Sequence, residues 1–546
     1  MPATIRADAD LIWLLTLSLP GVTFRLSTQP ITITDTLTGD PLAFDGGLSE
    51  IDYTEEIDLL RVEPAAQQVA IEGYLPIDTA ALRAAGYDLR EATATLGYVL
   101  APYLPSGAQH SLTTGDVERV AVGILAQPVT GDIERPPSWF AASLEAVPWA
   151  TGAKLLDSRA VITVADFPDA REDAINAIMP LVIGQPGATG TTPTYATPGY
   201  VVDTFGALAT HILIAAYDAV IDTPAGSSLS VEIFDGTAGS FSYIVEQAVT
   251  ASGLTYFYVD ISAGGAIAQT GAFFAVYWGG ASGVAAVSRG RGRAGVGEAL
   301  LYLLARAGMA VDVAASAPAF ERLRGIGFNG YLNDGEIGAW DYVSSQVLPY
   351  LPLTVRQGPD GLIFGYLDHD IAPADCVAQI DVTAEGWARI APLTQDEAKA
   401  PISLTITGGT NLVSGLASSV AQFDPQATAG AADTRIPINV GAAVAASVQR
   451  LTATEPTRQK IYLPWCDDQR SLYQIGLSWL AFRSSPPTTT TYSAPPLWAH
   501  LRPGDAVSIT DSAVGWADHV CWIKSKRWER GRWVVGLWTV DRPAWA

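Results

Sequence analysis

The sequence predicts a mainly β protein with α+β parts. In most of the chain, apolar and polar residues alternate with the period of two that β-strands show. Helical spacing with clear start and stop signals is concentrated between residues 296 and 349. With 546 residues, of which 49% are apolar, the chain is long enough for about three or four domains with buried cores.

The first part of the chain is predicted to be β-rich. The apolar run at 11–19 is short for a membrane span and follows acidic rather than basic residues, so we expect a strand there. Alternation at 24–33, 96–100 and 120–124 predicts further strands. A short helix is expected to end at Gly86.

The middle of the chain holds a separate β segment. Residues 188–198 are Gly, Thr and Pro with almost no large side chains, as expected of a linker. From about 199 to 287, strands such as HILIAAYDAV and TYFYVDI alternate with small and polar residues. This pattern predicts an all-β sandwich, inserted as a module into the rest of the chain.

A central unit carries the clearest helical signals. Apolar residues recur at helical spacing over 296–307, and a glycine follows that can end this helix. Ser316 is expected to cap a second helix, and Asp334 to place negative charge at the start of a third. The alternation around a Gly-Pro-Asp-Gly turn at 351–366 then predicts a β-hairpin.

The last part of the chain returns to a β pattern around one helix. Strands are predicted at 402–406 and 458–465, and a helix with a buried face at 467–482. We expect the two serines, two prolines and four threonines at 484–491 to form an extended linker. The stretch LRPGDAVSITD and the alternation through residue 540 predict the final paired strands.

Segments in the centre and at both ends resemble one family. The helix ALLYLLARAGM, the tryptophan helix GAWDYVSSQVLPYLP and the strand pair RQGPDGLIFGYLD are similar to the central part of baseplate hub, or tail-tip hub, proteins of long-tailed bacteriophages. FRLST with FDGGL, MPLVIGQPG and LRPGDAVSITD resemble the tube-like domains of the same family. The resemblance covers roughly residues 11–187 and 296–540.

The resemblance implies two tail-tube-like β-barrels on either side of the central unit. Family members are described as trimeric rings whose two barrels per chain match a hexameric tail tube. We therefore expect four domains, which are a first tube-like barrel at 1–187, the inserted β-sandwich at 188–290, the central α+β unit with its hairpin at 291–371, and a second barrel with a crossing helix at 372–546.

The same resemblance implies a structural role in the virion. A homotrimer would close the tail tube, contact the distal tail or tube protein, hold the end of the tape-measure protein, and support a central fibre or spike. We expect such a protein to be assembled in the host cytoplasm, to lie at the tail tip and not to be an enzyme. Because the chain continues into neither a fibre region nor a hydrolase, host contact is expected to lie in other proteins.

Composition argues against several other classes. The net charge of −24 is unfavourable for stable nucleic-acid binding, which depends on basic side chains that neutralise phosphates. Cys376, Cys466 and Cys521 are too few and too scattered for a disulfide scaffold or a zinc cluster, so we expect thiols. No membrane segment is predicted. Acidic side chains are expected to line the channel of the ring and repel DNA, although solubility alone also accounts for an acidic surface.

One motif suggests a dinucleotide site. Gly290, Gly292 and Gly295 spell G-x-G-x-x-G before a helix, and Asp312 follows about twenty residues later. However, the preceding strand is weak and no second parallel strand follows, as the fingerprint requires. We therefore interpret the motif as a flexible basic linker and predict no cofactor.

Asp368, His369 and Asp370 are candidate metal ligands. Adjacent residues on a strand point to opposite faces, so we expect at most Asp368 and Asp370 to converge. An exposed polar strand end is the favoured interpretation. No metal site and no catalytic residue is predicted, because the sequence shows neither a nucleophile elbow nor a phosphate loop.

Two alternative functions stay open. A receptor- or carbohydrate-binding tail protein would use the inserted module, where Tyr256, Tyr258, Tyr277 and Trp278 could stack on sugars, although such residues more often fill a core. A cell-wall or polysaccharide hydrolase would need two carboxylates on facing strands at catalytic separation.

Overall fold

The computed structural model describes most of the chain and is mainly β, which confirms that prediction. The described residues are 9–59, 66–77, 79–102, 112–130, 138–146, 153–184, 197–206, 208–216, 230–234, 240–262, 274–278, 295–395, 401–410, 417–423, 457–483 and 487–540. None of the helices within these ranges is long and apolar enough to cross a membrane.

The elements follow in chain order. The strands of the first half are β1 (Ala9–Leu19), β2 (Val22–Ser27), β3 (Ile31–Thr34), β4 (Pro41–Phe44), β5 (Leu48–Glu56), β6 (Ala66–Leu75), β7 (Thr93–Pro102), β8 (Glu118–Thr130), β9 (Ser138–Ala146), β10 (Leu181–Ile183), β11 (Thr197–Phe205), β12 (Leu208–Ala216), β13 (Ser230–Phe234), β14 (Ser240–Val249), β15 (Thr255–Asp260) and β16 (Phe274–Trp278). Those of the second half are β17 (Gly330–Leu332), β18 (Leu353–Gly358), β19 (Gly361–Tyr366), β20 (Ala378–Asp381), β21 (Ala388–Arg389), β22 (Thr394–Gln395), β23 (Pro401–Thr410), β24 (Ala417–Phe423), β25 (Thr457–Leu463), β26 (Thr488–Ala494), β27 (Ala506–Asp511), β28 (Trp516–Glu529) and β29 (Arg532–Thr539). The α-helices are α1 (Thr79–Ala84), α2 (Val296–Arg306), α3 (Val313–Leu323), α4 (Ala339–Tyr342) and α5 (Gln469–Arg483).

The two terminal segments form one sheet. The N-terminal strands pair in the order β2-β1-β7-β8-β9-β6-β5, and β5 then pairs antiparallel with β28 of the C-terminal segment. The sheet continues through β29 and β26, while β27 and β20 extend it from another part of β28. We call the β5–β28 pairing the seam, because it joins the first and last parts of the chain.

One expected linker is in fact a strand. Thr488–Ala494 forms β26, which pairs with β29 on one side and with β21 and β22 on the other. Part of the serine and proline stretch before it, at 484–486, lies outside the described residues. The four threonines favour the strand because β-branched side chains pack well on a pleated surface.

The inserted module is a ring of strands. Its strands pair in the order β11-β16-β13-β14-β15-β12, and β12 also pairs with β11, which closes the ring. All of these pairs are antiparallel. β12 also pairs in parallel with β10, which pairs with β17 of the central unit. The ring is therefore attached to the central unit through β10. The linker expected at 188–198 lies almost entirely outside the described residues.

The central unit contains helices and an antiparallel strand pair. α2 buries Val296, Leu300, Leu303 and Leu304 in a large core that also includes α5 and the inner side of the ring. β18 and β19 are joined by a two-residue turn and pair along their length. The third helical segment begins as α4, later than expected from Asp334, and continues as a single π-helical turn.

The cap of α3 differs from the prediction. The helix begins at Val313, and the side chain of Asp312 accepts a hydrogen bond of 3.0 Å from the backbone N–H of Ala315. Ser316 is instead buried within the helix, where its hydroxyl oxygen accepts a bond from the backbone N–H of Phe364 on β19. Asp312 is an equally good capping residue, and tertiary contact with the hairpin decides between the two positions.

An aromatic cluster lies under the seam. The ring of Trp13 on β1 is fully buried and lies 5.8 to 6.1 Å, centroid to centroid, from Tyr53, Tyr98, Trp528 and Trp533. Two of these partners belong to the N-terminal segment and two to the C-terminal segment. The terminal segments therefore share a single core instead of closing two independent ones.

We predict that Trp13→Ala destabilises both terminal segments together. Removing a buried tryptophan should lower the free energy of unfolding by about 3–5 kcal/mol, because the cavity cannot collapse fully. Chemical denaturation followed by circular dichroism measures this change. Leu37→Ala is the matched control, since Leu37 is 93% exposed and its loss should change stability by less than about 0.5 kcal/mol. Equal effects of the two substitutions would contradict a shared core under the seam.

Candidate functional site

The seam borders a polar cleft where three parts of the chain meet. A cavity of about 250 Å³ lies between β5, β6 and β8, the β18–β19 hairpin, and the turn before β27. Its charged and polar lining includes Glu55, Glu118, Arg119, Arg356 and Arg502. We call this cavity, with the buried side chains beside it, the seam cleft.

Lys526 is the most unusual residue of this region. It lies on β28 directly opposite Glu55 in the β5–β28 register, and its side chain is completely buried. The amine donates hydrogen bonds to the backbone oxygens of Ala499 and, at 2.6 Å, Leu501, and lies 4.0 Å from the ring centroid of Trp533. Burial, and then repulsion from Arg502, holds the pKa of Lys526 well below its ordinary value.

Tyr53 and Glu55 occupy the inner face of β5 because they are two residues apart on a strand. The Tyr53 hydroxyl donates a 2.8 Å hydrogen bond to the Glu55 carboxylate. The amide of Gln67 donates to the Tyr53 oxygen and, at 3.0 Å, to the backbone oxygen of Val120. Burial, reinforced by the charge of Glu55, raises the pKa of Tyr53, so this hydroxyl stays protonated.

Arg502 connects the C-terminal segment to β8. Its guanidinium donates a 3.0 Å hydrogen bond to Glu118, and its backbone N–H donates to the carboxylate of Asp505. Burial lowers the pKa of Arg502, but the negative charges of Glu55 and Glu118 help to raise it above its ordinary value. Burial also raises the pKa of Asp505.

The turn that carries Arg502 is fixed by a glycine. Gly504 has φ +94°, which L-residues with a Cβ rarely adopt, and a Cβ built there would lie 2.8 Å from the Thr354 hydroxyl on the hairpin. The Pro-Gly-Asp part of the LRPGDAVSITD stretch is therefore a tight turn that packs against the central unit. An exposed ion pair of 2.7 Å between Arg119 and Asp360 joins the tip of the hairpin to β8.

The chemistry of the seam cleft is that of a closed polar network. Glu55 and Glu118 accept hydrogen bonds from Tyr53 and Arg502, and the Lys526 amine donates to two carbonyl oxygens and lies over the Trp533 ring. A buried charged group is tolerated only when it is paired and hydrogen-bonded, and removing one partner costs several kcal/mol. The arrangement can therefore hold the terminal segments in one register.

The residues of the glycine motif have structural roles where they are described. Gly290 and Gly292 lie outside the described residues. Gly295 precedes α2 with φ +119°, and a Cβ there would lie 2.7 Å from the Cα of Arg324. Asp312, the expected ribose ligand of a dinucleotide site, uses its carboxylate to cap α3. The strand β17 that follows pairs antiparallel with β10.

The expectation that His369 points away from its neighbours is wrong. Asp368, His369 and Asp370 can each bring one ligand atom within 4.8 Å of the others, because they lie in a turn after β19 and not on the strand itself. His369 Nε2 is 3.3 Å from a carboxylate oxygen of Asp370, while Asp368 is 3.3 Å from the guanidinium of Arg322. The prediction that this cluster holds no metal stays a prediction.

Of the aromatic residues expected to bind sugars or fill a core, Tyr256 packs against the edge of the large core. Tyr256 and Tyr258 are half-buried on β15, whereas the alternate residues Phe257 and Val259 are buried. Tyr277 and Trp278 belong to β16, but their side chains lie outside what the structure describes.

Sequence reasoning missed the central residues of the seam cleft. Lys526, Arg502 and Glu55 are charged residues at inward positions of alternating strands or in a turn, and no local pattern reveals that their neighbours are distant segments. A β-bulge between Ile523 and Ser525 shifts the phase of β28, so Lys526 lies on the same side as the buried Ile523, and simple alternation does not reveal this.

No family model and no curated protein matches the chain. Among solved structures, it is similar to a tail protein from Neisseria meningitidis MC58, with 9% identity over 97% of this chain and 98% of that one, at a TM-score of 0.38. A 43 kDa tail protein of prophage MuSo2 from Shewanella oneidensis gives 9% identity, the same two coverages and a TM-score of 0.34. A chain of a native gene transfer agent virion gives 12% identity over 68% of this chain and 86% of that one, at 0.39.

We predict that Lys526 makes stability depend on pH. Because its pKa is lowered in the folded protein, the unfolded chain binds more protons between that value and the ordinary value of 10.5. The free energy of unfolding should therefore rise with pH in this window, by up to about 1.4 kcal/mol per pH unit from this group. Chemical denaturation at about pH 8 to 10 should show a smaller slope for Lys526→Met than for the wild-type protein.

The control for this experiment is Lys524→Met. Lys524 lies two residues away on the same strand but is 42% exposed and forms a 3.4 Å pair with the exposed Glu56. Its removal should leave the pH slope unchanged, because an exposed ion pair contributes little to stability. Identical slopes for all three proteins would show that Lys526 does not titrate differently on folding.

Proposed function

We propose that this chain is a structural component of the tail tip or baseplate of a long-tailed bacteriophage. In this proposal it is a hub that forms a homotrimeric ring, closes the tail tube, and connects it to the tape-measure protein and to a central fibre or spike. The domain boundaries at 187, 290 and 371 belong to the same proposal.

The seam is the observation that carries the proposal. The two parts of the chain that resemble the tube-like domains of hub proteins, near both termini, are the parts that pair through β5 and β28. They also share the aromatic core around Trp13. A protein that transmits force along a tail needs its tube-like units to be held rigidly, and a shared sheet with a buried network provides such a connection.

An acidic face on the N-terminal segment supports a channel function. Glu50 and Asp52 on β5 and Glu72 on β6 are exposed on the same side of the sheet. Glu50 lies directly opposite Glu72 in the register, although like charges in such a pair are destabilising. We propose that this face lines the channel, where negative charge repels the phosphates of passing DNA.

The hydrolase alternative is less well supported. Glu55 and Glu118 are two carboxylates that line the seam cleft, as a glycosidase would require. Both are held by protein partners, Tyr53 and Arg502, and one side of the cleft is closed by the hairpin. In the proposed function these carboxylates stabilise the seam, and the protein is not an enzyme.

The proposed hub function predicts a defined oligomer. At assembly concentrations, mass photometry of the full chain should show three copies, because three chains with two tube-like units each match a sixfold tube. Antibody labelling of virions should place the protein at the tail tip. A species that stays monomeric when distal tail protein and tape-measure protein are added, or label along the tail shaft, would contradict the proposal.

The acidic face predicts weak interaction with DNA. The wild-type protein should give no shift of double-stranded DNA on a gel at low salt. Glu50→Lys, Asp52→Lys and Glu72→Lys combined should bind DNA at least roughly tenfold more tightly, and this binding should weaken steeply with salt through counterion release.

The control variant has the same change in net charge, introduced outside the acidic face. Glu172→Lys, Asp375→Lys and Glu385→Lys replace exposed acidic residues that lie outside this face. If the face lines a channel, the first variant should retain DNA in the assembled ring more strongly than the control. Equal retention of DNA by the two variants would indicate that the acidic surface serves solubility alone.

A further inference from the structure

The outer face of the ring carries a cluster of aromatic and acidic side chains. The cluster crosses four neighbouring strands, because β11, β12, β15 and β14 pair side by side. We call it the β15 face. It consists of Asp203, His211, Glu246, Tyr256, Tyr258 and Asp260.

The phase of β15 puts the tyrosines outside. Phe257 and Val259 point into the core, so the residues on either side of them must point outwards. An apolar sequence such as TYFYVD could bury its aromatic residues in either phase, and here Phe257 is buried while the two residues that carry hydroxyls are half-buried. Amphipathic rings on a surface are typical of binding sites, because one part is apolar and the tip forms hydrogen bonds.

The rings form a shallow platform. The centroids of Tyr256 and Tyr258 are 5.8 Å apart with an interplanar angle of 38°, and His211 lies 5.2 Å from Tyr258. Phe167, a buried residue that precedes the inserted module, packs edge-on against Tyr256 with a centroid distance of 5.1 Å. The cross-strand neighbours of Tyr256 are Ala216 and Ala248, which carry small side chains, and the ring of Tyr256 is half-buried.

Carboxylates surround this platform and hold its polar groups. The Tyr258 hydroxyl donates a 2.8 Å hydrogen bond to Glu246, and this bond raises the pKa of Tyr258 to about 12. His211 Nδ1 is 2.7 Å from Asp203, and Asp260 lies opposite His211 in the register. The aromatic rings are thus fixed in place, while the outer oxygens of the carboxylates can accept further hydrogen bonds.

We propose that the β15 face binds a neutral saccharide. A sugar ring has an apolar C–H face that can pack on Tyr256 and Tyr258, and hydroxyl groups that can donate to Glu246, Asp203 and Asp260. The acidic groups disfavour nucleic acids, anionic lipids and acidic glycans through like-charge repulsion. A cationic ligand would be better served by rings facing each other as a cage than by two rings side by side on a sheet.

This inference does not depend on the role in a phage tail, because it uses only the strands of the inserted module and the neighbouring Phe167. It assigns a ligand class to the inserted module, to which the proposed function as a trimeric hub gives no role. In a virion, such a site would attach the tail weakly and reversibly to a neutral surface glycan, and several copies per particle would strengthen attachment through multivalency.

The test uses the full-length protein on an array of neutral and charged oligosaccharides. Titration calorimetry with the neutral trisaccharides chitotriose, maltotriose and cellotriose would then measure affinity. We expect at least one neutral glycan to bind, with an affinity that changes little between low and high salt. Tyr256→Ala combined with Tyr258→Ala should weaken this binding at least roughly tenfold, since the stacking surface is lost.

Two further variants keep the test specific. Tyr74→Ala removes a tyrosine that is 43% exposed on β6 and should leave binding unchanged. Glu246→Gln should weaken binding less than the double tyrosine variant, because an amide still accepts one hydrogen bond. Circular dichroism confirms that each variant is folded. Binding only to anionic or cationic ligands, no binding to any neutral glycan, or equal binding by wild-type protein and the double tyrosine variant would overturn the proposal.

Discussion

The pairing of β5 with β28 is the constraint on which the rest of the body depends. Two strands from opposite ends of the chain must meet in one register, and closing so long a loop costs conformational entropy before any contact offsets it. The aromatic cluster around Trp13 supplies the compensating burial, because its rings come from both ends. Without the seam, β5 and β28 would each present unpaired backbone groups to solvent.

The seam cleft explains why this pairing has a unique register. An apolar interface would tolerate a slip between strands more easily, whereas Lys526 finds its two carbonyl partners only in one position. Buried charges of this kind add little net stability and are costly when a partner is lost. We therefore interpret the network of Lys526, Glu55, Tyr53 and Arg502 as a device that specifies geometry, supported energetically by the apolar core around it.

The inserted ring of strands shares its core with the central unit and not with the seam. It reaches the central unit through β10, where Gly184 has φ +76° and approaches the backbone of Phe328 so closely that a Cβ would not fit. This close approach fixes the position at which the inserted module is attached to the central unit. The outer face of the module takes no part in the seam. A structural role near the termini and a binding role on the ring can therefore coexist in one chain.

Local pattern determined much of this protein, since the mainly β class, the apolar face of α2 and the strong net negative charge all follow from the sequence alone. Periodicity identifies a strand and its two faces because it depends on neighbouring residues. Periodicity does not indicate which strand pairs with which. The seam, the burial of Lys526, and the strand β26 in place of a linker therefore became visible only in the tertiary structure. The cap at Asp312, the convergence of His369 with its neighbours, and the outward tyrosines of β15 were decided in the same way, because each depends on contacts or strand phase that distant segments impose.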